Sequence, residues 1–243
     1  MLKEYEKVAY ELLRPEQVRA IRAKRPIAYI PAGSLEWHSF QNPLGCDALK
    51  SHAVCCEAAL KYGGIVLPPF YQGLLGMWNW GPKKWEDFTL GYNQRKVFQA
   101  AMLGISRALV KAGWRVIVGV TGHDVPDQRG AMARAIAAAT RGKRAAGFAM
   151  MEGDLHKWTK AFPYHMDHAG AWETSCMMYA CPGKVSLAAL RRHIVTKGDN
   201  LQMKDPEGIG GRNPLKYASR ALGRRIIEGM GNLIGRKARK LLR

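Results

Sequence analysis

Glu36, His38 and Asp47 are the residues in this chain whose types and spacing promise chemistry. They follow an apolar run, Ile27 to Ile30, and a turn at Gly33-Ser34. Glu36 and His38 are two apart, so on an extended segment both point to the same side. Asp47 returns after a loop containing Pro43 and Gly45. Two carboxylates and an imidazole just past the carboxyl end of a strand form a hard-to-borderline ligand set suited to Zn²⁺ or Mn²⁺. Asp47 is placed to bridge two ions.

Two further stretches supply partners. One is Gly122-His123, after a second apolar run. The other is Asp167-His168-Ala-Gly-Ala-Trp172-Glu173-Thr-Ser175. Glu36, His38, Asp47, His123 and Glu173 then make up a ligand set sufficient for two ions with one bridging carboxylate. Water activated in such a site is a nucleophile near neutral pH. His168 has the proton affinity of a general acid/base and joins Glu173 as a catalytic candidate. Each residue also has an ordinary reading. His123 suits a hydrogen-bonded loop, Glu173 an acid in the first turn of a helix, and Asp47 a helix N-cap. Their joint placement at one sheet edge favours the metal reading. Cys46, beside Asp47, reads first as a small buried residue opening a helix.

The elements that must position these side chains alternate. A helix beginning at Pro15 precedes a strand over Ile27–Ala32. The pattern predicts helices over Asp47–Tyr62, Gln94–Ala112, Asp127–Arg141 and Trp172–Ala180. It predicts strands over Ile65–Leu67, Trp114–Val120 and Arg144–Met151. In the helix over 94–112 the apolar face is read as Val97, Ala101, Ile105 and Leu109. Strands alternating with helices imply an α/β fold, a mainly parallel sheet covered on both faces, with ligands at the carboxyl ends of its strands. Residues 70–92 are broken by Gly and Pro and carry Trp78 and Trp80, which suit the wall of a substrate pocket or a small aromatic core. After Ser186 the pattern weakens, and Tyr217–Leu242 reads as one or two basic amphipathic helices.

A chain of 243 residues, 47% hydrophobic and 23% charged, suits a single domain. Its core is expected over about 25–185, with a basic helical extension over about 212–243. The N-terminus lacks a signal peptide's apolar segment, no apolar run reaches membrane-span length, and the five cysteines include no CxxC pair. A cytoplasmic protein with reduced thiols is the expectation. The net charge of +19 is concentrated from Arg212 onward, where ten Lys/Arg face one acid, Glu228. That segment motivates an alternative function: a non-catalytic binding protein whose basic C-terminus contacts nucleic acid or an anionic surface. A solvated helix face or a subunit contact accounts for the same charge.

The three stretches together resemble the signatures of the creatininase (creatinine amidohydrolase) family: GSLEWH with Asp47, GH at 122–123, and HAGAWETS at 168–175. The resemblance implies a three-layer α/β/α fold and a dinuclear Zn²⁺ or Mn²⁺ site. It also implies hydrolysis of C–N bonds in cyclic or formyl amides, often by homo-oligomers, hexamers among them. Carried over by position, Glu36, His38, Asp47 and His123 are metal ligands, His168 the acid/base, and Glu173 a ligand or a carboxylate supporting one. Trp172 is placed to stack on a flat substrate, with Trp78, Trp80 and Asp124 on the substrate side. The chain departs from the pattern at Val125, where creatininase has a metal-binding Glu two residues after the His; Asp124, Asp127 or Glu173 is left to replace it, and Glu173 is favoured. Ser39 stands where the family turn has Gly. The run Gly-His-x-x-Pro-acid-Gln at 122–128 is closer to relatives that open cyclic ketones, so the expected substrate is a small cyclic amide or a cyclic ketone.

Overall fold

The computed structural model describes residues 2–75, 88–92, 94–155 and 168–242. Trp78 and Trp80 lie outside the described residues. Helix α1 (Pro15–Lys24) leads into strand β1 (Ile27–Ala32). Then come α2 (Cys46–Tyr62), β2 (Ile65–Val66), α3 (Arg95–Lys111), β3 (Val116–Thr121), α4 (Pro126–Thr140) and β4 (Ala146–Met151). The described strands among these form a parallel sheet in the order β2-β1-β3-β4. After it follow α5 (Ala171–Ala180), α6 (Leu187–His193), the short antiparallel pair β5 (Asn200–Leu201) and β6 (Gly211–Arg212), α7 (Pro214–Tyr217) and α8 (Arg220–Lys240).

The strands are apolar on both faces because both faces are covered. Ile27, Tyr29, Val116, Val118 and Val120 point into a core shared with α2, α5 and α8. Their neighbours Ala28, Ile30, Ala32 and Ile117 point the other way, into a core with α3 and α4. The period-two alternation of a strand thus divides one sheet between two cores, giving a three-layer α/β/α sandwich.

Three expectations change. In α3 the buried residues are Phe98, Met102, Ser106 and Leu109, and Val97 is exposed. The inward stripe is set by the larger Phe98 and Met102, one position along from the expected one. Asp47 is not an N-cap: α2 begins at Cys46 with Gly45 as its cap, and Asp47 lies inside the first turn. The core also extends beyond residue 185. Ile226, Ile227, Met230, Ile234 and Ala238 of α8 are buried in the same cluster as Val54 and Ala58 of α2 and Met177 of α5. The basic C-terminal helix is therefore part of the outer layer, with Arg224, Arg225, Arg236, Lys237 and Arg239 on its exposed side. Among the described residues, no helix is long and apolar enough to cross a membrane.

Candidate metal centre

The side chains converge where β1 and β3 end and α2 and α5 begin. Two glycines make this possible. A Cβ on Gly33 would lie 2.2 Å from the Ala48 amide nitrogen, and one on Gly122 would lie 2.1 Å from the Asp47 carbonyl oxygen. Only bare backbone lets the first turn of α2 sit directly on both strand ends. That contact carries Asp47 between the segment bearing His38 and the one bearing His123.

Asp47 divides its oxygens between two histidines. Oδ1 is 3.1 Å from His38 Nε2, and Oδ2 is 3.0 Å from His123 Nδ1. On the His123 side, Glu36 Oε1 is 3.4 Å from the same Nδ1. On the His38 side, Glu173 Oε2 is 3.4 Å from the same Nε2. Atoms bonded at about 2.1 Å to one cation stand about 3.0–3.4 Å apart, from a right angle to a tetrahedral one. The contacts of His123 Nδ1 with Asp47 and Glu36, and those of His38 Nε2 with Asp47 and Glu173, all fall in or near that range, and Asp47 belongs to both sets. The candidate groups Glu36–Asp47–His123, His38–Cys46–Glu173 and Glu36–His38–His168 each bring their ligand atoms within 4.8 Å of one another.

Glu36, His38, Asp47, His123 and Glu173 are all buried. Among the described residues, Glu36 Oε2 and His123 Nε2 have no hydrogen-bond partner. Buried polar atoms are rarely left so, and several carboxylate oxygens and imidazole nitrogens aimed at one another fit a shared divalent cation. The tautomer of His38 agrees. Its Nδ1 is 3.1 Å from the Glu36 carbonyl oxygen, which only accepts, so Nδ1 carries the hydrogen and Nε2 presents its lone pair inward. Burial lowers the proton affinity of both histidines, but the carboxylates outweigh it. With no metal present, Asp47 and Glu173 raise His38 to about 9, and Glu36 and Asp47 raise His123 well above the usual imidazole value. Burial likewise works against the Asp47 carboxylate, and His38 and His123 overcome it, holding Asp47 well below the usual range.

Sequence reasoning missed two members of the site. Lys50 is fully buried one turn after Asp47, and its ammonium donates to Glu152 Oε2 at 3.0 Å and to Glu173 Oε1. Burial opposes its charge, but Glu152 and Glu173 hold it well above the usual lysine value. Glu152, just past β4, is pushed up to about 7, chiefly by burial and against the pull of Lys50. Glu173 also accepts from the Ala169 amide at 2.7 Å through Oε2. Despite burial, Lys50 and His38 keep it below the usual glutamate value. The signal for Lys50 was its place three residues from Asp47 on a helix rich in alanine and cysteine.

His168 Nε2 lies 2.7 Å from the Trp37 carbonyl oxygen, so Nε2 carries the hydrogen, and Nδ1, 3.7 Å from Glu36 Oε1, faces the cluster. Its ring is 4.4 Å from that of His38. Burial, then His38, lowers its proton affinity, so it is neutral near pH 7. Its backbone is clamped to Gly210 by reciprocal hydrogen bonds of 2.8 Å. Ser39 and Ala169, each directly after a site histidine, hold left-handed backbone at φ 60° and 53°.

The remaining sequence candidates are more scattered. Trp172 is fully buried within the core cluster below the site. Asp124 is exposed beside His123. Asp127 points away from the centre toward Arg95 at 3.6 Å, so it is not a substitute ligand. Val125 caps α4, and the carboxylate that stands beside His38 is Glu173.

The sequence model of the creatininase (creatinine amidohydrolase) family matches residues 11–236. No curated protein matches the chain in sequence. A crystal structure of creatinine amidohydrolase is similar at a TM-score of 0.76 and 21% identity, covering 95% of this chain and 98% of that one. A putative creatinine amidohydrolase from Bacteroides fragilis is similar at 0.75 and 22%, covering 97% and 96%. A manganese creatininase (0.74, 21%, covering 96% and 98%) and a mutant creatininase of Zn–Zn type (0.74, 22%, covering 96% and 97%) share the architecture. At these identities the likeness to solved structures is one of fold.

Proposed function

From the premise that this chain belongs to the creatininase family, we propose that it is a metal-dependent hydrolase that opens a small cyclic amide. The observation that carries the proposal is Asp47, with one oxygen about 3 Å from each of two histidines that have their own second carboxylates. Glu36, Asp47 and His123 would hold one Zn²⁺ or Mn²⁺, and His38, Asp47 and Glu173 a second. Bound there, the ions would supply Lewis acidity to polarise the amide carbonyl and to lower the pKa of the attacking water.

The rest of the chemistry falls to the chain. His168 is anchored through Nε2–H on the Trp37 carbonyl, and its Nδ1 lone pair faces the centre. It accepts a proton from water as the C–O bond forms and returns it to nitrogen as the ring C–N bond breaks. The product is the open-chain amino acid or its amidine-type relative, with atoms balanced by one water. A neutral imidazole suits the first step, and burial keeps His168 in that form. Glu173 stays ionised through Lys50 and the Ala169 amide, which suits a ligand better than a proton donor.

The test combines metal analysis with a substrate panel. We expect about two Zn or Mn per chain. Turnover of at least one small lactam, cyclic imide or cyclic ureide should be lost in His38→Ala together with metal, and in His168→Ala without loss of metal. Cyclic ketones form a second arm of the panel, since activated water attacks either carbonyl. A homogeneous metal-free preparation with full activity would refute the reading. The homo-oligomer expected of the family is checked by sedimentation of the same preparation.

A further inference from the structure

Lys50 stands where a second metal ion would draw its charge balance. Its ammonium is fully buried and donates to Glu152 Oε2 and to Glu173 Oε1. Glu173 presents its other oxygen, Oε2, 3.4 Å from His38 Nε2. That oxygen already accepts from the Ala169 amide. The His38–Asp47–Glu173 position is therefore built on a carboxylate whose negative charge is partly spent on an internal cation. The Glu36–Asp47–His123 position differs: Glu36 keeps Oε2 with no hydrogen-bond partner among the described residues, and in the described ion pairs Glu36 and Asp47 face only histidines, with no lysine or arginine.

We propose that Lys50 makes the two metal positions unequal, weakening cation binding at His38–Asp47–Glu173 so that Glu36–Asp47–His123 fills first. Like charges a few ångströms apart in a buried site repel strongly, and Lys50 has no room to leave. The ammonium also explains how Val125 is tolerated. With no carboxylate two residues after His123, the second position depends on Glu173, and Lys50 with the Ala169 amide fixes that side chain in place. Lys50 is thus a positioning residue that sets occupancy and touches no substrate. The inference rests on the metal reading above, and its test separates the two.

The full chain, stripped with a chelator, is titrated with Zn²⁺ and with Mn²⁺ against a chromophoric competitor. The wild type is expected to show two affinities at least tenfold apart. Lys50→Met keeps the volume, removes the charge, and is expected to tighten the weaker position at least tenfold. Glu152→Gln leaves the ammonium with less counter-charge and is expected to weaken the same position, leaving the tighter one within threefold. Glu152→Gln also carries the test should Lys50→Met fail to fold. Two equal affinities in the wild type overturn the proposal. So does a Lys50→Met protein whose weaker position is unchanged or weaker still, or a Glu152→Gln protein that binds as the wild type does. A wild type that takes up neither ion overturns the metal reading along with it.

Discussion

Asp47→Asn separates the metal reading from a purely structural one. Four buried carboxylates, Glu36, Asp47, Glu152 and Glu173, share the site with the buried ammonium of Lys50, which pairs with the last two. Without metal, the balance is made up by protons on His38 and His123, whose affinities are raised by those carboxylates. An asparagine keeps one oxygen to accept from His38 and removes one negative charge. The metal-free variant should therefore lie within about 1 kcal/mol of the metal-free wild type, the size of one ordinary hydrogen bond. Metal changes the comparison. At a free concentration about 100 times the Kd, binding stabilises the wild type by about 2.7 kcal/mol. A chain of 243 residues then melts about 5–11 °C higher, at about 2–4 °C per kcal/mol. The amide cannot bridge, so each position loses a ligand or its charge, and most of that increment should vanish. The assay is thermal unfolding with and without Zn²⁺ or Mn²⁺, alongside metal content of dialysed protein. An Asp47→Asn variant that keeps two ions and the full increment refutes the bridging assignment. A variant that melts far below the metal-free wild type shows that Asp47 is a structural ion-pair partner.

Other perturbations test the scaffold. Ser39 holds φ 60° with its buried hydroxyl unpartnered among the described residues; Ser39→Gly should stabilise by about 1–2 kcal/mol, the usual left-handed penalty, read as a higher Tm with metal content unchanged. Gly122→Ala should unseat α2 from β3, since its Cβ would lie 2.1 Å from the Asp47 carbonyl oxygen; a lower Tm and lost metal are expected together. His52 is buried neutral, and burial pushes it down to about 4. The unfolded chain binds its proton first, so stability falls as pH drops from about 6.5 toward 4, by about 1.4 kcal/mol per unit. His52→Gln should flatten that part of the wild-type curve of Tm against pH, and an unchanged slope would show that His52 is already protonated in the fold. Removing residues 212–243 would strip Ile226, Ile227, Met230 and Ile234 from the core, so the nucleic-acid alternative is better tested by Arg236→Glu with Lys237→Glu. If that surface only carries solvated charge, heparin retention at low salt should fall no further than the net charge predicts.

Much of this was legible from residue order. Apolar runs ending in Gly-Ser or Gly-His marked β1 and β3, and the parallel sheet followed from their alternation with helices. The candidate trio was visible because Glu36, His38 and Asp47 lie close in the chain. The inward face of α3 was misplaced because periodicity alone cannot tell Val97 from Phe98 when both are apolar, and the larger ring takes the core. The role of α8 was hidden by its seven Lys/Arg against one acid, Glu228. A stripe of Leu222, Ile226, Ile227, Met230 and Ile234 on one side is enough to bury a helix whose other side is basic. Glu152 is distant in sequence from the other site residues, and only the parallel register of β4 against β3 brings its end to the same edge.

Lys50 shows why the site resists being read residue by residue. On α2 it is one of two lysines on a helix rich in alanine and cysteine, and a lysine on a helix is ordinarily solvated. Here the helix is covered by the sheet on one side and by α5 and α8 on the others, so the side chain has no water to reach. A buried ammonium persists only with counter-charges in contact, and Glu152 and Glu173 supply them from two other elements. The same pairing helps keep Glu173 ionised and fixed where its other oxygen faces His38. Under the proposed metal reading, the contact that lets the lysine be buried is also the one that holds a carboxylate beside His38 in a chain with Val125.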